Sequence, residues 1–154
     1  MADSSSASTS CDPTDASLLR RALRALVLFG TTGLFAELVL LEHWHDSTQA
    51  IPLALLAMAL AVTGLHVVSP TRRSAWLFQR VMGALVIVGA LGVILHLRGN
   101  FEFEREILSD RAQGSILLRA LQGATPTLAP GALLQLGLLG WIADADLRRF
   151  IFRS

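Results

Sequence analysis

Apolar and polar positions along the chain fall into blocks rather than alternating. Four uninterrupted apolar runs, Ala25–Leu41, Ile51–Val68, Trp76–Leu97 and Leu128–Ala143, are separated by polar stretches. A hydrocarbon layer about 30 Å thick takes roughly 17–25 helical residues at 1.5 Å each. The runs hold 17, 18, 22 and 16 residues, and the last can begin earlier, near Thr125 or Thr127. Continuous apolar blocks without a period of two predict helices rather than barrel strands. The expected fold is therefore all-α: an integral membrane four-helix bundle with spans at about 22–41, 51–68, 76–97 and 127–143.

The polar stretches complete the layout. Residues 1–17 are rich in Ser, Ala, Thr and Asp and offer nothing to bury, which predicts a disordered cytoplasmic tail ahead of one four-span domain over 18–154. That tail lacks a basic start and an apolar stretch, so it does not read as a cleaved signal peptide. A short outer loop, Glu42–Ala50, joins the first two spans, and Arg98–Thr127 forms the longest polar segment. Within the latter, Ile116, Leu117, Leu118 and Leu121 beside Arg119 predict a short interfacial helix before the last span. Pro126 and Pro130 flank the entry to that span, where a missing N–H costs nothing.

Composition agrees with a membrane domain: 53% of residues are hydrophobic and 16% charged, against about a quarter charged in soluble domains. Every one of the 13 basic residues is Arg, a hint of a GC-rich bacterial genome. With a cytoplasmic N-terminus, nine arginines (Arg20, Arg21, Arg24, Arg72, Arg73, Arg80, Arg148, Arg149 and Arg153) fall inside. Four (Arg98, Arg105, Arg111 and Arg119) fall outside, and the bias places both termini in the cytoplasm, with the chain in the inner (plasma) membrane. A net charge of +1 without a basic face gives no nucleic-acid footprint. Cys11 is the sole cysteine, which excludes an intrachain disulfide and a cysteine-based metal cage. No apolar stretch precedes it to mark it for lipidation.

Three spans carry one ionisable or amide residue each in what reads as the same half of the membrane: Glu37, His96 and Gln135. Glu37 lies about 6 Å below the outer end of the first span and shares a face with Gly30 and Gly33. His96 shares its face with Gly92 and Gly89, and Gln135 with Gly131. Small-residue stripes permit close helix neighbours. All three residues are thus expected to converge in the outer leaflet as a polar pocket, with Glu37 pointing into the bundle. Its plainest role is a Glu–His hydrogen bond that fixes packing; a metal site or a proton pathway are the working alternatives. At the rim stand Glu42, His43, His45 and Asp46, joined by Glu102 and Glu104. Imidazole with carboxylate suits a divalent metal, and His43, His45, Glu37, His96 and Glu102 form the candidate ligand set. Their spacing matches no metalloenzyme signature. Haem held by His96 with His43 or His45 would leave the porphyrin poorly enclosed, so haem is disfavoured. His66, near the inner end of the second span, is expected to bond backbone or a lipid headgroup. Asp144 and Asp146 are expected to pair with Arg148, Arg149 or other lipid-side arginines. No Gly-rich phosphate loop and no Gly-x-Ser-x-Gly is present, so phosphoryl and acyl transfer have no support.

The strings Glu37-Leu-Val-Leu-Leu-Glu-His43, His96-Leu-Arg-Gly-Asn-Phe-Glu-Phe-Glu104 and Gly123-Ala-Thr-Pro-Thr-Leu-Ala-Pro-Gly131 resemble segments of small uncharacterised bacterial four-helix membrane proteins. The likeness spans roughly residues 20–145 and implies the fold and its place, with no activity attached. The function expected is a non-enzymatic membrane component whose outward pocket binds a metal ion or a partner subunit, or a second copy of the chain. A proton- or ion-coupled transporter component and a metal or haem redox subunit are the alternatives.

Overall fold

A computed structural model describes residues 13–42, 44, 47–107 and 128–145. Among these residues the fold is all-helical, with four helices: α1 (Pro13–Leu40), α2 (Ser47–Val68), α3 (Arg72–Ile107) and α4 (Leu128–Asp144). Three of them are long and apolar enough to cross a membrane, over Ser17–Leu40, Thr48–Val68 and Arg72–Glu106. The fourth has 17 residues, about 26 Å at 1.5 Å each, and its limits coincide closely with the expected 127–143. The expected interfacial helix over Ser115–Gln122 lies outside the described residues.

Two helices run further than their apolar blocks. α1 starts at Pro13, inside the stretch expected as a tail, because proline is preorganised for the first helical turn. α3 continues ten residues past Leu97, to Ile107. The extension is rich in good helix formers, and Arg98 Nε donates to Glu102 Oε1 at 2.8 Å one turn on. α1 closes differently: Leu41 and Glu42 donate back to the carbonyls of Glu37 and Val39, at 2.9 and 3.1 Å, and Glu42 turns left-handed with φ 52°. A short link then returns the chain to α2.

The helices close a ring in which α1 packs on α2 and α4, and α3 packs on α2 and, most extensively, on α4. Glycines explain the last contact. A Cβ at Gly89 would run into the backbone of Leu134, and one at Gly92 would lie 2.7 Å from Pro130 Cβ. From the other side, a Cβ at Gly137 would sit 2.7 Å from the Met82 carbonyl, and one at Gly140 would strike the Met82 sulfur. Neither backbone could come this near with a larger residue. Gly30 on α1 makes room in the same way for Leu136 of α4, 2.6 Å from where its Cβ would be. The core between the helices is Val27, Leu56, Phe78, Met82 and Leu85, all fully buried. Thr31 and Thr63 are buried as well, but each hydroxyl donates at 2.6 Å to a carbonyl of its own helix, Val27 and Ala59, and so has no proton left for a neighbour.

Gly89→Ala should lower the apparent melting temperature in detergent, by an amount equivalent to about 1–3 kcal/mol of overpacking. Gly83→Ala, whose Cβ meets nothing within 4 Å, should be neutral or gain up to about 1 kcal/mol of helix propensity. Equal shifts for the two variants would show that the α3–α4 approach is not held by glycine.

Candidate functional site

Polar groups gather in two places, and their geometries differ. On the part of the bundle expected to face outward is a groove of about 330 Å³ between α1 and α4, lined by Leu26, Phe29, Glu37, Gln135 and Leu139 among others. Glu37 and Gln135 therefore do share a site, as their depths suggest. Both are exposed on the surface of the bundle, so the carboxylate faces outward from the groove instead of pointing inward. The reason is the ring order. α4 stands between α1 and α3, and the Gly89–Gly92 stripe that carries His96 faces α4 rather than α1. His96 is half-buried on α3, and neither it nor Glu37 has a side-chain hydrogen bond or ion pair among the described residues. The expected Glu37–His96 bond is thus not formed.

At the rim, Glu102 is exposed and committed to Arg98 of its own helix, while Glu104 is half-buried. His43, His45 and Asp46 lie outside the described residues. Among the described residues no three of His, Cys, Asp and Glu come together in a group able to hold a metal ion.

The inner locus joins all four helices. Asp144, at the end of α4, accepts through Oδ1 from Arg24 Nη2 of α1 at 2.7 Å and from His66 Nε2 of α2 at 3.1 Å. A carboxylate only accepts, so Nε2 is the ring nitrogen that carries a hydrogen here. His66 Nδ1 lies 3.0 Å from Ser74 Oγ of α3, and the ring stacks on Phe78 with centroids 5.4 Å apart. Gln79 adds a long contact, 3.5 Å, to the Asp144 carbonyl. His66 is 4% exposed, so this is an interior network and not a surface pair.

Two expectations change accordingly. His66 bonds Ser74 and Asp144 side chains rather than backbone or a lipid headgroup. Asp144 pairs with Arg24 and His66; Arg148, Arg149 and Asp146 lie outside the described residues. The sequence held a usable signal. Arg24, His66 and Asp144 each stand at the same end of their helices, and charges stranded at one end of a small bundle tend to find each other.

Ser74, His66 and Asp144 bring together the residue types of a nucleophilic triad. Their surroundings describe a helix cap. Ser74 Oγ accepts from Thr71 N at 2.9 Å, Ser74 N donates to Thr71 Oγ1 at 3.1 Å, and Ala75 N opens α3 on the Thr71 carbonyl at 3.0 Å. That is a reciprocal capping box, with serine in the place usually held by Glu or Gln. The Ser74 hydroxyl also lies 2.8 and 2.9 Å from the Ser69 and Thr71 carbonyls, and the residue is 3% exposed. A nucleophile needs a free oxygen and an approach to it, and this oxygen has neither. One group in the network remains unsatisfied: Arg24 Nε is buried with no partner. Such a donor costs about 1–3 kcal/mol, offset here by the charge-assisted bond to Asp144.

Asp144→Ala should destabilise the protein by about 1–3 kcal/mol, less than for a fully enclosed pair because Arg24 retains some exposure. A double-mutant cycle with Arg24→Met, read by thermal unfolding in detergent, should give a coupling of about 1 kcal/mol or more. Strict additivity would mean the contact carries no energy.

Compared with known proteins, the chain matches no family model, no curated protein and no solved structure. What it does is to be read from these two polar loci.

Proposed function

We propose that this chain is a non-enzymatic, multi-pass protein of the bacterial inner membrane that binds a transmembrane helix of a partner subunit in the groove between α1 and α4. All four helices span, with the α1 N-terminus and the α2–α3 turn on the cytoplasmic side. Support for insertion comes from an inverted distribution of polarity. In each long helix only 22% of the apolar window is buried. Phe29, Leu40, Ile87, Ile94 and Leu95 stand 60% or more exposed, while Arg24, His66 and Asp144 are gathered within. Water would reward the reverse; lipid tails accept it.

The observation that carries the binding role is the pairing of Glu37 with Gln135 on one groove that opens outward. A carboxylate and an amide facing hydrocarbon are costly until they find a donor or acceptor, and a neighbouring helix supplies one. Two such groups are a thin donor set for a divalent ion, which favours a helix over a metal. The transport reading finds less support, because the fully buried layer of Leu56, Phe78, Met82 and Leu85 separates the two polar loci without a hydrogen-bonded path among the described residues.

Photo-crosslinking side chains placed at Phe29 or Leu139 should label one protein band in membranes. That band should weaken at least severalfold in Glu37→Leu and Gln135→Leu, while crosslinks from Ile87 on another face stay unchanged. Labelling of lipid alone, or labelling indifferent to both substitutions, would refute a partner helix in this groove.

A further inference from the structure

The inner network has a consequence for the arginines around it. Arg24 of α1 is tied through Asp144 and His66 to Ser74 of α3 by contacts of 2.7, 3.1 and 3.0 Å. The arginines one turn before Arg24, and those just before Ser74, therefore come to the same end of the bundle. These are Arg20, Arg21, Arg72 and Arg73, and all four are exposed. Arg80 joins them a little deeper, its guanidinium stacked 4.9 Å over the Trp76 ring. Asp144 at this end is committed to Arg24 and His66. None of the five exposed arginines is paired with a carboxylate among the described residues. Among the described residues their positive charge is left unneutralised.

The neighbouring surface indicates what that is. Val67 and Val68, just before the α2–α3 turn, are 52% and 85% exposed, and Trp76 is 56% exposed beside the arginines. Guanidinia next to open apolar side chains match a molecule with a phosphate at one end and hydrocarbon at the other. A nucleic acid or a free phosphate would use only the charged half. Arginine also suits the task better than lysine would, because its planar fork meets two phosphate oxygens at once. Trp76 belongs at the depth where ring and headgroup meet.

We infer that the cytoplasmic end of the bundle, around Arg72, Arg73, Arg80 and Trp76 with Arg20 and Arg21, selectively binds the phosphodiester headgroup of an anionic phospholipid. This rests on the membrane reading above and is independent of the α1–α4 groove. In the bilayer such a lipid would sit against Val67 and Val68 with its phosphate on the arginines of α3, and Arg20 and Arg21 would add positive charge at the same end.

The test uses the full chain, delipidated in detergent and titrated with phosphatidylglycerol or phosphatidylcholine, with bound lipid counted by native mass spectrometry. Phosphatidylglycerol should bind in preference. Each arginine near the surface contributes roughly fivefold, so Arg72→Gln/Arg73→Gln should reduce that preference by roughly 25-fold. Arg98→Gln, at the other end, should leave it intact. Melting of the double variant should match the parent, since both side chains are exposed and have no ion pair among the described residues. Equal binding of the two lipids, an unchanged preference in the double variant, or displacement of phosphatidylglycerol by inorganic phosphate at equal concentration would each overturn the site. Reconstitution into nanodiscs keeps the two ideas apart: a chain that fails to insert refutes the membrane reading, whereas one that inserts without selectivity refutes the headgroup site alone.

Discussion

Because Gly89 on α3 and Gly137 on α4 carry no side chain, the two backbones approach until main-chain atoms fill the space where a Cβ would be, while the side chains of Pro130 and Met82 fill it at Gly92 and Gly140. The ring order follows from that contact. With α4 held against α3 and its Leu136 seated over Gly30, α1 meets α4 along its length and has no extended contact with α3. Glu37 is thereby assigned to Gln135 and denied His96. The same placement carries the end of α4 to where one carboxylate oxygen of Asp144 reaches both Arg24 and His66.

The two polar loci differ in how completely the protein satisfies them. At the inner end nearly every donor and acceptor has a partner, the exception being Arg24 Nε. A buried network of that kind contributes little net stability over an apolar core, yet removing any one member is expensive. Its effect is selective: α1, α2, α3 and α4 can close together in only one rotation that brings these groups into register. At the other locus Glu37 and Gln135 make no side-chain hydrogen bond or ion pair among the described residues, and this asymmetry distinguishes the two.

Helix count, the boundaries of the apolar blocks and the fourth helix were legible because burial in hydrocarbon and helix length are both one-dimensional properties. The shared groove of Glu37 and Gln135 was legible in part, since depth along a helix follows from residue number. Which helix stands beside which is not one-dimensional, and there the expected Glu37–His96 bond gave way. The glycine stripe beneath His96 did mark a close neighbour; it could not say that the neighbour was α4. That His66, Ser74 and Asp144 join was not legible, because each has an adequate local explanation when taken alone. Only the fold shows that an interfacial histidine, a capping serine and a helix-terminal aspartate are one network.

α3 ends where its apolar block does not. Its 36 residues make a rod of about 54 Å, against a hydrocarbon layer of roughly 30 Å. In a bilayer the last turns would stand clear as an overhang carrying Phe101, Glu102 and Phe103 on the same continuous helix that Ser74 and Thr71 cap at the far end. A rod stiff over its whole length behaves as a lever. Pivoting by about 10° about the membrane midplane would sweep a tip some 15 Å above the surface sideways by roughly 5 Å, enough to change which atoms it touches. Events at the Ser74 end of this helix would thus have a direct mechanical route to the opposite end, through a single backbone and without any chain of intervening side chains.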